Sequence, residues 1–431
     1  MKRIIIVGGG AGGLELATRL GRKFGRKGKI EVILVDKNPT HFWKPLLHEV
    51  ATGAMDSNID EVSYRVLARR NHFQFILGEM QSLQPDSNQL ILAALNDGNQ
   101  LVLPERTLNY DYLVLAIGSA TNDFGTDGVA EHCIFLDNLR QAIRFHRKFV
   151  NAMIRADNQI GNGIQGSVDI LIVGGGATGV ELSAELINAA EVVREYGFKN
   201  LKPEHLNIRL LEAGPRLLPA LPERISAAAL TELKELNIKV ELNARVTSAS
   251  QGMVELADQR QINAELMVWA AGVKGCNVMN QLNGLELTRN KQLVVNSAMQ
   301  SISHGNIFAL GDCCACPQSQ DKYVPPRAQS AHQMASHLAK QLPLIIKGHQ
   351  PKPFIYQDHG SLVSLSQYSA IGTLMGNLSK GSLKVEGRIA RLMYVSLYRM
   401  HQAAIYGWPR AIVIAMSDRL HRVFKPKLKL H

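Results

Sequence analysis

Arg3-Ile-Ile-Ile-Val7 runs into Gly8-Gly-Gly-Ala-Gly-Gly13, and Leu14-Glu-Leu-Ala17 follows. In order, these read as a short apolar strand, a glycine turn and the opening of a helix. The unit recurs later in the chain as Val168-Asp-Ile-Leu-Ile-Val173, Gly174-Gly-Gly-Ala-Thr-Gly179 and Val180-Glu-Leu-Ser-Ala-Glu-Leu186. Short β-branched runs of this kind belong to buried parallel sheets with crossover helices between the strands. The expected fold is α/β, with two Rossmann-like dinucleotide-binding domains. Further strands are expected at 30–35, 111–117, 206–211, 264–271 and 305–310. Loops are expected at 96–100, 157–167 and 313–326.

The glycine spacing carries chemistry. In Gly8-x-Gly10-x-x-Gly13 the first glycine makes a tight turn and the second lets backbone amides approach a pyrophosphate. The third lets helix and strand pack closely, with Ala11 and Gly12 at the helix start. Asp36 ends the next apolar run, Val32-Ile-Leu-Val35, where a carboxylate meets a ribose hydroxyl. Gly174-x-Gly176-x-x-Gly179 repeats the pattern, with Glu212 as its acid at a longer spacing. A polar insertion, Tyr196 to Leu206, accounts for the excess. A carboxylate repels a 2′-phosphate, so this second site should prefer NADH over NADPH, although nearby Arg216 works against that. The alternative at each turn is a plain glycine loop with no ligand. Two dinucleotide sites in one chain call for a carrier between a nicotinamide and a further acceptor, and flavin does that work.

A chain of 431 residues with 46% apolar and 20% charged residues is globular, with two or three domains. Five cysteines make no disulfide framework. Met1-Lys2-Arg3 before Ile4 briefly imitates a leader peptide, but the apolar run is too short and breaks at Gly8. No apolar stretch reaches the roughly 18 residues of a membrane span. A reducing, cytoplasm-facing, soluble or peripheral protein is expected. The net charge is +11. The tail from Arg388 to His431 holds nine Lys or Arg against one acid, Asp418.

Several motifs in order bear a family resemblance. They are Ile6-Val-Gly-Gly-Gly-Ala-Gly-Gly13, His41-Phe-Trp-Lys-Pro-Leu-Leu-His-Glu-Val-Ala-Thr-Gly53, Leu115-Ala-Ile-Gly-Ser119, Gly174-Gly-Gly-Ala-Thr-Gly-Val-Glu181, Ala309-Leu-Gly-Asp312 and Pro325-Pro-Arg-Ala-Gln-Ser-Ala-His-Gln333. Over its whole length the chain resembles the type II NADH:quinone oxidoreductases, the single-subunit, non-pumping respiratory NADH dehydrogenases. The resemblance implies FAD at the first glycine turn, NADH as substrate at the second, and a membrane quinone, ubiquinone or menaquinone, as acceptor. Hydride passes from NADH to FAD and two electrons pass on to the quinone. It implies an FAD domain split by the NADH domain: 1–118, then 119–290 for NADH, then 291–345 with the quinone-site helix. Residues 346–431 would form a C-terminal amphipathic region that attaches to membrane. Gly118, Gly311 and Asp312 fall on cofactor-binding motifs, with backbone contacts to FAD from Lys37 and Met80. Asp312 can accept a ribitol hydroxyl; capping the next helix is its plain alternative. A homodimer on the cytoplasmic face of the bacterial inner membrane is expected, peripheral and without nucleic acid.

Pro325-Pro326 predicts a helix starting near 326. Its N-terminus favours negative charge, such as a reduced flavin bears. The resemblance puts Ala331 against the flavin. Gln329, His332 and Gln333 share one face. Gln329 can donate an amide hydrogen to a quinone carbonyl and His332 can donate or relay a proton. A solvated polar face is the alternative, and the resemblance decides for the quinone. Glu181, two positions past Gly179, suits a helix N-terminus; the resemblance turns it toward the flavin–nicotinamide contact as a proton-transfer group.

Cys313, Cys314 and Cys316 admit three readings: loop cysteines, a soft-metal clip or a redox pair. No metal site is expected, since no second Cys/His clip accompanies them. In the tail, Ile389 to Ala404 shows helical apolar spacing with interleaved Arg, and Ala411-Ile-Val-Ile-Ala-Met416 precedes more basic residues. A basic amphipathic helix pair reads as lying in an anionic membrane interface, with core packing as the alternative. Rival readings are a relative with a ferredoxin or sulfide acceptor, and an NADH-sensing regulator.

Overall fold

The computed structural model describes residues 1–56, 61–319, 322–365, 369–374, 383–424 and 428–430. Two five-stranded parallel sheets organise them. The first has the order Ile307–Ala309, Tyr112–Leu115, Lys2–Val7, Ile30–Asp36, Gln74–Leu77. The second has the order Ile134–Phe135, Leu266–Trp269, Val168–Val173, Leu206–Leu211, Lys239–Glu241. In each, the strand that ends in glycines lies at the centre. Ile4, Ile5 and Ile6 are fully buried, as are Leu171 and Ile172, which is why these strands read as unbroken apolar runs. Each sheet carries an antiparallel three-stranded layer on its crossover, at 80–109 and 246–263. The first sheet is completed by Ile307–Ala309, which arrives from beyond the whole second sheet.

Three expected loops are partly ordered. Residues 95–103 form a hairpin around Gly98. The polar run 157–161 belongs to the helix Leu139–Gly161, because Asp157 turns its carboxylate out to accept the amides of Asn200 and Leu201. Residues 314–323 hold short strands, with 320–321 outside the described residues. The helix after Pro325-Pro326 begins at Ala328: Arg327 is still extended, φ −144° and ψ 152°, so the prolines set a straight approach rather than the first turn.

Helix Ala11–Lys23 packs on helix Ala328–Ile345. Gly12 permits the crossing: a Cβ there would lie 2.4 Å from Leu310 Cδ1 and 3.0 Å from the Ala331 carbonyl. The chain then adds an antiparallel sheet of three strands, Gly360–Leu365, Ser369–Leu374 and Leu383–Glu386. Two helices follow, Gly387–Tyr406 and Trp408–Phe424, with Gly407 between them at φ +84°. The first of these helices docks on helix Ala11–Lys23. Arg22 donates to the Ala404 and Ile405 carbonyls at 3.2 and 2.6 Å, and Ile405 is 1% exposed. The second leaves Trp408, Ile412, Val413, Met416 and Leu420 more than half exposed along one face. The tail thus divides: one helix packs, and the other keeps an apolar face in the open. Among the described residues no helix is long and apolar enough to cross a membrane.

Candidate active site

Each glycine loop is built by two requirements. Gly8 and Gly174 end their strands at φ +102° and +115°, and their amides donate to Val35 and Leu211 at 2.8 Å. A Cβ on Gly13 would lie 1.9 Å from the Gly8 carbonyl, and one on Gly179 would lie 2.0 Å from that of Gly174. These four glycines serve backbone packing. Gly10 and Gly176 are different: a Cβ on either would meet nothing within 4 Å. They face open space at a helix N-terminus, where a pyrophosphate needs room and amide donors. The residues present therefore fit a dinucleotide at each loop.

The carboxylates close the loops. Asp36 accepts the amides of Gly9 and Asn38 at 2.6 and 2.8 Å. Burial raises its pKa, opposed by those amides. Glu212 accepts from Gly175 and Gly214, each at 2.7 Å. Asp312 takes the Ser119 hydroxyl at 2.8 Å, and burial raises its pKa.

One continuous cleft of about 2730 Å³ joins these parts. That is several times an ordinary ligand pocket and large enough for more than one cofactor-sized guest. Gly8, Gly10, Ala11, Gly12, Asp36, Lys37, Met80, Gly118, Gly311, Asp312 and Ala331 line it, as do Gly176, Glu181, Gln329, His332 and Gln333. Gly13, Gly174, Gly179 and Glu212 lie behind the lining, in the loop frame.

The helix face at 329–333 is partly committed. Gln329 donates to the Gly360 carbonyl at 2.9 Å, and Gln333 donates to that of Gln357 at 2.8 Å. The two amides pin segment 357–360 beside the cleft. His332 instead points its Nδ1 at Glu15 Oε2, 2.7 Å away, close but not aligned as a good hydrogen bond. Glu15 is 1% exposed. Its other oxygen meets His401 Nδ1 at 2.9 Å, and His401 Nε2 meets His41 Nε2 at 2.9 Å. Burial opposes ionisation of Glu15, but His332 and His401 override it and hold the carboxyl below its usual range. Burial, with His401 alongside, pushes His41 down to about 3.

Glu181 lies 3.7 Å from His48, which burial pushes down to about 4. Sequence reasoning missed Glu15, His41, His48 and His401 as site residues. The signal for Glu15 was present, since it sits two positions past Gly13 as Glu181 sits two past Gly179. Cys313, Cys314 and Cys316 are buried and aim at different carbonyls, those of Leu310 and Leu115, of Gly311 and of Asn296. Burial pushes the thiols of Cys313 and Cys316 up to about 12 and 11, away from the thiolate that metal binding or disulfide exchange needs.

Fold and cleft define a two-dinucleotide flavoprotein-type oxidoreductase. A profile of the pyridine nucleotide-disulphide oxidoreductase family matches residues 2–335. The chain is similar to the type II NADH:quinone oxidoreductase of Haemophilus influenzae, 47% identical with both chains covered in full. It is similar to the enzyme NdhA of Mycobacterium tuberculosis, 27% identical over 94% of this chain and 86% of that one. Its fold is similar to the structure of NDH2 from Plasmodium falciparum in complex with NADH: TM-score 0.78, 20% identity, 94% and 97% of the chains covered. The chain belongs to the type II NADH:quinone oxidoreductases.

Proposed function

We propose that the chain oxidises NADH and reduces a quinone, NADH + H⁺ + quinone giving NAD⁺ + quinol, without pumping protons. The observation that carries this is the single cleft linking both glycine loops to the His332 face. FAD bound at the first loop supplies the chemistry that takes up hydride and releases two electrons. The chain's residues bind, orient and manage protons. The open amides at Gly10 and Gly176 hold the two pyrophosphates. Asp36 and Glu212, fixed by loop amides, present their remaining lone pairs to ribose hydroxyls. His332 donates to a quinone oxygen through Nε2, its nitrogen remote from Glu15, while Gln329 and Gln333 hold segment 357–360. Glu181 shares a buried contact with neutral His48 between the two loops. The deciding experiment is anaerobic: purified yellow protein mixed with NADH should bleach, and a short-chain quinone should restore the colour. Bleaching that quinone does not reverse would rule the quinone out as acceptor.

Glu212 sets the nicotinamide preference in this reading. Glu212→Arg should narrow the NADH-over-NADPH ratio by about tenfold or more, chiefly through KM, since a repelled phosphate costs binding before chemistry. Half-reaction kinetics with both nucleotides check it. An unchanged ratio would detach Glu212 from specificity.

The exposed face of helix Trp408–Phe424 is proposed to lie in an anionic membrane interface, on the cytoplasmic side where NADH is available. Deleting the tail would be a poor test, because it removes Ile405 from the core and His401 from Glu15. Substituting Trp408, Ile412 and Met416 together by Glu should leave the fold intact, as all three are exposed. Each apolar side chain contributes about 1.5–3 kcal/mol when buried, so cosedimentation with anionic liposomes should fall by well over about tenfold. Retention on liposomes would move the attachment elsewhere.

A further inference from the structure

The peptide between Gly9 and Gly10 is held by side chains from two other segments. The Gly9 carbonyl accepts from the Tyr64 hydroxyl at 2.8 Å and from His41 Nδ1 at 2.9 Å. Both residues are buried. A carbonyl only accepts, so His41 carries its hydrogen on Nδ1, and the two donors together use both lone pairs of the oxygen. The Gly9 amide is taken separately, by Asp36 at 2.6 Å. In a trans peptide the next N–H points opposite to the carbonyl. The Gly10 amide is therefore turned away from the His41 and Tyr64 rings. Gly10 borders the cleft, and among the described residues no group accepts its amide.

The second loop holds the equivalent oxygen by another route. The Gly175 carbonyl accepts the Leu218 amide at 2.8 Å, while Glu212 takes the Gly175 amide at 2.7 Å. Leu218 has φ +48°, a conformation that few residues other than glycine adopt. Arg216 braces that turn by donating to the Leu221 and Pro219 carbonyls, each at 2.7 Å. One loop recruits two side chains and the other a strained backbone turn, yet the same atom is pinned. What the two loops share is the direction of the next amide, at Gly10 and at Gly176.

We propose that His41 and Tyr64 are positioning residues that aim the Gly10 amide at the pyrophosphate of FAD. This rests on the reading of the first glycine loop as the FAD site. Gly9 and Gly10 lack side chains that would resist rotation of the peptide between them. A rotated peptide would present its carbonyl oxygen to the phosphates, where an anion is repelled rather than bound. Gly9 also lets the pin come close: a Cβ there would lie 2.4 Å from the Tyr64 hydroxyl oxygen. Neither donor changes its charge near neutral pH. Burial, with His401 alongside, pushes His41 down to about 3, and burial holds the Tyr64 phenol well above its usual range.

Holoenzyme carrying Tyr64→Phe, His41→Leu or both tests the proposal. Tyr64→Phe keeps the ring that stacks on Phe75, centroids 5.0 Å apart, and removes only the hydroxyl. Release of FAD on dilution, read by flavin fluorescence, should show affinity lower by about 3- to 10-fold in each single variant, as for one lost hydrogen bond. The double variant should lose more than the product of the two, because only there is the peptide free to turn. The ³¹P signals of the bound FAD pyrophosphate should shift in every one of these variants, most in the double. His41→Asn, whose amide nitrogen can stand where Nδ1 does, should keep FAD within about twofold of wild type. NAD⁺ affinity at the second loop, by titration calorimetry, should stay within about twofold throughout. A purely packing role would lower the melting temperature and leave FAD release and the phosphorus signals of Tyr64→Phe as in wild type; that result overturns the proposal. So does His41→Asn as weak as His41→Leu, or a double variant no weaker than either single one. Should His41→Leu fail to fold, Tyr64→Phe and His41→Asn still decide. Failure of the underlying reading looks different: the wild type itself would bind no FAD, and both would fall.

Discussion

Gly179→Val protein should purify yellow and no longer bleach with NADH, whereas Gly13→Val protein should be colourless. The Cβ on Gly179 would lie 2.0 Å from the Gly174 carbonyl and 3.3 Å from Leu210 Cδ1. Both partners of the first contact are backbone in one tight loop, so neither yields without opening it. Overpacking alone costs about 1–3 kcal/mol, and a displaced loop also loses its amide donors to pyrophosphate. NADH affinity should drop by more than about a hundredfold. The first sheet is buried in a hydrophobic core of its own, around Ile4 to Ile6, Leu113 to Leu115 and Ile307 to Leu310. The second is buried around Ile170, Ile172, Leu210 and Val268. Damage at one loop should therefore leave the other cofactor in place. Flavin absorbance, flavin-to-protein ratio and anaerobic bleaching read the two outcomes separately. Loss of flavin from Gly179→Val would mean that the two sheets fold as one unit.

The protein should also be acid-labile in a defined window. His41 and His48 have folded pKa values of about 3 and about 4, against 6.5 unfolded. Their depressed values mean that the unfolded chain binds more protons once pH falls below 6.5. Stability is fully present above that point and is lost as pH falls toward the folded values. Each unit of pH costs about 1.4 kcal/mol per histidine well below 6.5 and about half that at 6.5 itself, so going from pH 6.5 to pH 5 should remove roughly 3 kcal/mol from the two together. Glu15, held low, adds a further loss in more acid solution. Urea unfolding across this range should show the slope, and His48→Asn should reduce it by about half. A flat profile between pH 6.5 and pH 5 would mean that these rings are hydrated in solution.

Much of this architecture can be read from the chain. Runs such as Ile170 to Val173 are apolar on both faces because helices cover one side of the sheet, at Ile170 and Ile172, and the antiparallel strands of 246–263 cover the other, at Leu171 and Val173. Their glycines announce themselves because no other residue tolerates the geometry of Gly8 or the approach at Gly13. The buried cluster around Glu15 is less legible. Glu15 and His401 are 386 residues apart, and only the docking of the late helix on the early one joins them. On helix Gly387–Tyr406 the apolar period marks a buried face, but nothing in a period shows that His401 is buried with it. Gln329 and Gln333 looked like free donors because segment 357–360, which takes their amides, lies well downstream of both. Trp408 to Leu420 has the same apolar character as the packed helix before it; only the third dimension separates a covered face from an open one.

The offset between the two glycine loops is constant well beyond the glycines. The strands begin at Lys2 and Val168, the first glycines are Gly8 and Gly174, and the acids are Glu15 and Glu181. Ala116 donates to the Val7 carbonyl at 2.8 Å as Ala270 does to Val173. The acid thus belongs to the shared layout as firmly as the glycines do. What differs is the company each acid keeps: the first has histidines from two late helices, the second a histidine from the short helix Leu47–Thr52 of the opposite half. Each glutamate stands at a corresponding position among different neighbours, and a residue-by-residue overlay of the two halves becomes a tool for finding where else their surroundings differ.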